Sequence, residues 1–89
     1  MKIDLKQRDR LNHTLRNKVI LITGGAGSIG SNLTKRLLEY PIKSVRVLDI
    51  DEHGLFRLGR SIKDSRLRLL LGSILDKERI EMAGQGVDI

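Results

Sequence analysis

The sequence predicts an α/β protein, the first half of a doubly wound parallel sheet. Three observations predict it. Short apolar runs at 18–23, 45–49 and 66–71 alternate with segments of helical periodicity. The first run, Val19-Ile20-Leu21-Ile22, is continuously apolar, as a strand covered on both faces requires. A glycine-rich segment, Thr23 to Gly30, stands directly between that run and the first long helix.

Taken in order, the chain begins with a polar, charged leader from Met1 to Asn17, expected to be a basic N-terminal extension ahead of a partial domain at 18–89. Residues 1–18 carry six Lys or Arg against Asp4 and Asp9, a balance of +4, whereas residues 19–89 carry eleven against nine. The leader has no apolar stretch of the length needed for a signal peptide or a membrane span. It reads as a solvated or loosely docked extension, with a docking arm or a tether as the alternative; Leu11 and Leu15, four apart, could lay a short helix on the body.

Lys18–Thr23 is the first strand. The helix after the glycines carries Ile29, Leu33, Leu37 and Leu38 at helical spacing and stops at Tyr40-Pro41. Val45–Asp49 is the second strand and ends on a carboxylate. Asp51-Glu52 opens a second helix with Leu55, Phe56, Leu58 and Ile62 as its apolar residues and acids in its first turn. Arg66–Leu71 is the third strand, closed by Gly72. Asp76–Ala83 is a short third helix with Leu75, Ile80 and Met82 as apolar contacts, and Val87-Asp88-Ile89 begins a fourth strand. The order β-α-β-α-β-α-β with short loops implies right-handed crossovers.

At 89 residues the chain holds one small domain, and only part of a six-stranded one. Cysteine is absent, which excludes disulfides, thiolate metal sites and cysteine nucleophiles and fits a reducing compartment; the expected location is cytoplasmic. Tyr40 and Phe56 are the whole aromatic complement, too few for an RNA-stacking platform. The net charge of +6 belongs largely to the leader, so nucleic acid is not an expected partner. His13 and His53 have no ligand partners at metal spacing and read as ordinary polar residues.

The strand–glycine–helix order is what a dinucleotide phosphate needs. Gly24 lets the chain turn off the strand, Gly27 keeps a side chain out of the way of the pyrophosphate, and Gly30 lets the helix pack closely on the first strand. The free N–H groups of the helix start receive the phosphates. Asp49, 19 residues after Gly30 at the end of the next strand, suits the adenosine ribose hydroxyls. No Gly-Lys-Ser/Thr follows the turn, so a P-loop is excluded.

Thr23, Gly24, Gly27 and Gly30 match a Thr-Gly-x-x-Gly-x-x-Gly pattern, and this segment resembles the short-chain dehydrogenase/reductase superfamily. Ser28 stands where the classical branch has a glycine, so the resemblance is to the extended branch. Leu21 to Ser31, Val45 to Asp49, Asp51-Glu52, Leu70 to Ile80 and Gly86 to Ile89 are together similar to the UDP-sugar 4,6-dehydratases and epimerases of polysaccharide biosynthesis. The likeness covers Lys18 to Ile89 and implies the N-terminal half of an NAD(P)-binding Rossmann domain. The cofactor-binding set it implies is Gly24, Gly27, Ser28, Ile29, Gly30, Asp49, Ile50, Asp51, Ser73 and Ile74. Asp51 and Glu52 equally suit simple helix capping.

One departure stands out. The family it resembles usually has Gly-Asp-aliphatic after the third strand, where the carboxylate helps to fix adenine; here the residues are Gly72-Ser73-Ile74. Asp49 favours NAD over NADP because a carboxylate repels a 2′-phosphate, a preference softened by Arg46 and Arg57 nearby. The resemblance also implies a nucleotide-sugar substrate for a full-length enzyme and allows for a homo-oligomer. The family's Tyr-x-x-x-Lys pair has no counterpart: Tyr40 is followed by Lys43 at +3 and Ser44 at +4. No catalytic residue and no metal ligand are therefore assigned. The expectation is an NAD(P)-binding segment of a dehydratase or epimerase, inactive alone; the alternative is a stand-alone nucleotide-binding or interaction module.

Overall fold

The computed structural model describes residues 5–89. The elements are α1 (Leu5–Leu15), β1 (Val19–Thr23), α2 (Ser28–Leu37), β2 (Ser44–Asp49), α3 (Glu52–Ser61), β3 (Leu67–Leu71) and α4 (Lys77–Ala83). The strands form one parallel sheet in the order β1-β2-β3. Ile20 stands opposite Val45, and Val45 opposite Leu67.

Residues 87–89 return to the free side of β1. Leu21 N–H donates to the Ile89 carbonyl at 3.0 Å, and Ile89 N–H donates to the Val19 carbonyl at 3.3 Å. Those two bonds are the parallel-pair pattern with Ile20 opposite Ile89. The chain thus turns back past β1 after running outward through β2 and β3, the change of direction that a doubly wound sheet makes.

The period of two along each strand assigns the faces. Ile20 and Ile22 of β1 and Val45 and Val47 of β2 join Leu55 and Leu58 of α3 in one buried cluster, and α2 adds Leu37 and Leu38 at its edge. Arg46 points to the opposite face and donates to the carbonyls of Ala83 and Gln85, fastening the C-terminal end of α4 there. Helices therefore cover both faces, as the crossover from β3 to residue 87 requires.

Within the leader, α1 is docked. Leu15 belongs to the buried cluster, Leu11 packs against it, and the Arg8 guanidinium lies 5.8 Å from the centre of the Tyr40 ring. Asn17, in the left-handed conformation at φ 59°, turns the chain from α1 into β1, and its N–H donates to the Pro41 carbonyl at 2.9 Å. Helices of this length are marginal in water, so α1 owes its order to this packing.

A second fastening joins α2 to β3. The Arg66 guanidinium donates to the Leu38 and Tyr40 carbonyls and to both Asp64 carboxylate oxygens. Its side-chain hydrogen bond, followed by that from its backbone N–H, lowers the Asp64 carboxyl to about 2.

Several apolar residues expected in the core lie outside it. Ile29 is 86% exposed and Leu33 about half exposed, because α2 meets the core cluster through its C-terminal end, at Leu37 and the following Leu38. Thr34 is fully buried, and its hydroxyl donates to the Gly30 carbonyl at 2.8 Å. Phe56 lies on the outer side of α3 against Arg60. On α4 the buried contact is Ala83, while Met82 is exposed and Leu75 lies in the preceding loop. β3 is the sheet edge, with Leu69 and Leu71 partly open to solvent.

Candidate functional site

The carboxyl ends of the three strands converge on one cleft of about 530 Å³. It runs from Thr23 and Gly24 at the end of β1, past Leu48, Asp49 and Ile50 after β2, to Gly72, Ser73, Ile74 and Leu75 after β3. Ligand sites in open parallel sheets lie in this position.

The turn at its β1 end is shaped by its glycines in different ways. Gly24 has φ +70°, a conformation that side chains rarely adopt. A Cβ on Gly30 would lie 2.5 Å from Gly25 Cα, and one on Gly25 would lie 2.5 Å from Val47 Cγ1, so both are needed for close packing. The partner expected for Gly30 was the first strand; it packs instead on the Gly24–Gly25 turn that follows the strand. Gly27 differs from all three. Its φ of −72° suits any residue, and an added Cβ would meet only the Gly24 carbonyl at 3.8 Å. Nothing within the chain demands a glycine there, and the space it leaves lies directly before α2.

The start of α2 is bare. Gly27 is its N-cap and supplies no side-chain hydrogen bond, whereas Asp51 caps α3 through Gly54 N–H and Asp76 caps α4 through Arg79 N–H. The first N–H groups of a helix need an acceptor from outside it, and their dipole favours an anion.

Asp49 ends β2 half-buried, with both carboxylate oxygens engaged. One accepts from Ala26 N–H at 3.0 Å and the other from Asp51 N–H at 2.9 Å. A carboxylate oxygen has a second acceptor position, so ribose hydroxyls can still be received there.

The structure brings together Gly24, Asp49, Ile50, Ser73 and Ile74 as lining of the cleft, with Ile50 and Ile74 exposed around it. Gly27 and Gly30 adjoin it through the turn. Ser28 instead lines a smaller cleft of about 350 Å³ between α2 and α3, beside Lys35 and Arg57. The Ile29 side chain points to solvent, leaving only its backbone to face a ligand. Asp51 caps α3 and lies 3.9 Å from Arg57. Ser73 Oγ accepts from Leu75 N–H at 3.0 Å. Sequence reasoning missed Ala26, whose contribution is a backbone N–H and carries no side-chain signal. It also placed Leu75 against α4 rather than in the cleft.

Tyr40 is a core residue, with its ring under Arg8 and its carbonyl held by Arg66. Among the described residues no group of three or more His, Asp or Glu could hold a metal ion.

The sequence profile of the family described as "Polysaccharide biosynthesis protein" matches residues 20–89. The chain belongs to that family. Two curated relatives are each 39% identical. One is an uncharacterized membrane protein of Methanocaldococcus jannaschii, matched over 79 residues, 89% of this chain and 24% of that protein. The other is a UDP-N-acetylglucosamine 4,6-dehydratase (inverting) of Campylobacter jejuni, matched over 72 residues, 80% of this chain and 22% of that enzyme. Among solved structures, the Bordetella bronchiseptica enzyme WbmF in complex with NAD+ is 29% identical with a TM-score of 0.67, over 84% of this chain and 22% of that one. The chain thus spans less than a quarter of the length of these relatives, and the fold it shares with them is that of the extended short-chain dehydrogenases.

Proposed function

We propose that residues 18–89 bind the adenosine and pyrophosphate half of NAD(P) for a nucleotide-sugar 4,6-dehydratase or epimerase of polysaccharide biosynthesis, with residues 1–17 as an N-terminal arm. The observation that carries this is the uncapped start of α2 behind Gly27, a glycine that the fold itself does not require. The pyrophosphate accepts from the α2 N–H groups, Asp49 receives the ribose hydroxyls, and Ile50 and Ile74 flank the base. Gly24 and Gly30 hold the turn in shape; Ser28, Ile29, Asp51 and Ser73 complete the contacts. The relatives named above support the reading, one as a UDP-sugar dehydratase and one as a complex with NAD+.

The nicotinamide, when bound, supplies reversible hydride transfer at the sugar. These residues bind and orient its carrier, and the one tyrosine is buried in the core, away from where a sugar would lie. The 89 residues alone are accordingly inactive, and NAD is preferred to NADP because Asp49 faces the ribose. The cytoplasm is the proposed location. Among the described residues no helix is long and apolar enough to cross a membrane.

Calorimetric titration with NAD, NADP and ADP-ribose tests this. ADP-ribose should bind within about threefold of NAD, because the nicotinamide half finds no partner on this chain. A folded chain that binds none of the three removes the cofactor reading. Equal affinity for NAD and NADP removes only the preference assigned to Asp49.

A further inference from the structure

We propose that Ser73 makes the base end of the cleft indifferent to hydrogen-bond polarity at position 6 of the purine, so that hypoxanthine dinucleotides are accepted alongside adenine ones. The inference rests on the cofactor reading above and adds a specificity to it.

Strand order sets the geometry. The glycine turn lies beyond β1, Asp49 ends β2, and Ser73 follows β3. A dinucleotide with its pyrophosphate at the turn and its ribose at Asp49 extends its base toward the end of β3. There Ile50 and Ile74 offer apolar contact to the faces of a flat ring, and Ser73 is the polar side chain that the β3 end contributes.

The hydrogen bonding of Ser73 is already half determined. A hydroxyl oxygen has two acceptor positions and one proton. Leu75 N–H takes one acceptor position at 3.0 Å, and the loop is pinned again by Asp76 N–H donating to the Ser73 carbonyl at 3.1 Å. One acceptor position and the proton remain. Adenine presents an amino donor at position 6, which the free lone pair can receive. Hypoxanthine presents a carbonyl acceptor there, which the hydroxyl proton can satisfy after rotation about the Cβ–Oγ bond. An ionised carboxylate at residue 73 would be acceptor-only, and would set two acceptors against each other when hypoxanthine is bound.

The test compares NAD with nicotinamide hypoxanthine dinucleotide by calorimetry on the full chain and on Ser73→Asp and Ser73→Ala. The natural chain should bind the two within about threefold of each other, and Ser73→Asp should prefer NAD by about tenfold or more. Ser73→Ala should weaken both to a similar extent. A natural chain that already prefers NAD about tenfold overturns the proposal, as does a ratio unchanged in a folded Ser73→Asp. Should the aspartate variant fail to fold, Ser73→Ala decides, since unchanged affinities for both ligands would place residue 73 away from the base. Failure of the natural chain to bind either dinucleotide or ADP-ribose removes the cofactor reading itself, a result distinct from binding with strict base selection.

Discussion

The Asp49 carboxylate accepts a hydrogen bond from the backbone N–H of Ala26 at 3.0 Å, which ties the glycine turn of one strand to the end of the next. The residue proposed to receive the ribose therefore also holds the glycine turn in place in the ligand-free protein. Asp49→Ala should lower NAD affinity by about tenfold or more and NADP affinity by less. It should also speed hydrogen exchange at the Ala26 amide in the ligand-free protein. Asp49→Asn keeps an acceptor for Ala26 while removing the charge, so its turn should stay protected as its NADP affinity rises relative to NAD. Parallel losses for both cofactors would separate Asp49 from the ribose.

Gly27 and Gly30 should respond differently to substitution. A Cβ at Gly27 would make only ordinary contact with the Gly24 carbonyl, so Gly27→Val should leave the protein folded while dinucleotide binding disappears. Gly30→Ala drives a methyl into the Gly25 backbone and should destabilise the fold by about 1–3 kcal/mol. Calorimetric unfolding beside NAD titration separates the two. Retained binding in Gly27→Val would remove the pyrophosphate from that position.

The first half of the architecture was legible in the sequence because its signals are local. Val19 to Ile22 and Val45 to Leu48 read as strands from apolar continuity, and the glycine spacing located the turn. Placing side chains on faces was harder. Ile29, Leu33 and Phe56 are apolar and at helical spacing, yet the core is met through Leu37, Leu38, Leu55 and Leu58. Helical periodicity defines a stripe but does not say which edge of it the strands touch. Backbone roles, such as the Ala26 N–H that meets Asp49, leave no trace in residue identity. The spacing of Leu11 and Leu15 allowed for a helix laid on the body, but the core that Leu15 joins is built from residues far along the chain, so its contacts were not legible.

The packing of that helix makes Leu15 a sensitive position. Leu15→Ala should cost about 2–5 kcal/mol of stability, as truncation of a buried leucine does. A melting temperature unchanged from the natural protein would mean that α1 contributes nothing to the core.

The Asp64–Arg66 pair predicts a pH response of definite sign. Folding lowers the Asp64 carboxyl from 3.8 to about 2, so the folded state binds fewer protons than the unfolded state between those values. The stability this pair contributes is complete above about pH 4 and is lost as pH falls toward 2. Carboxyl chemical shifts followed by nuclear magnetic resonance should place the Asp64 midpoint near 2 in the natural protein. In Arg66→Ala it should return toward 3.8, with a smaller loss of stability on acidification. An unmoved midpoint would show that Arg66 is not what holds the carboxylate down.

The position of β3 has a bearing on solubility. Among the described residues it has a strand neighbour on one side only, and its sequence, Leu-Arg-Leu-Leu-Leu, is apolar but for a single charge. An open edge of this kind is a template on which another chain can add a strand. Arg68 interrupts the leucines of that strand, so a second copy added along this edge would bring like charges together. The strand that carries Ser73 to the cleft is thus also the one along which copies of this chain are best placed to aggregate, and Arg68 is the residue that opposes it.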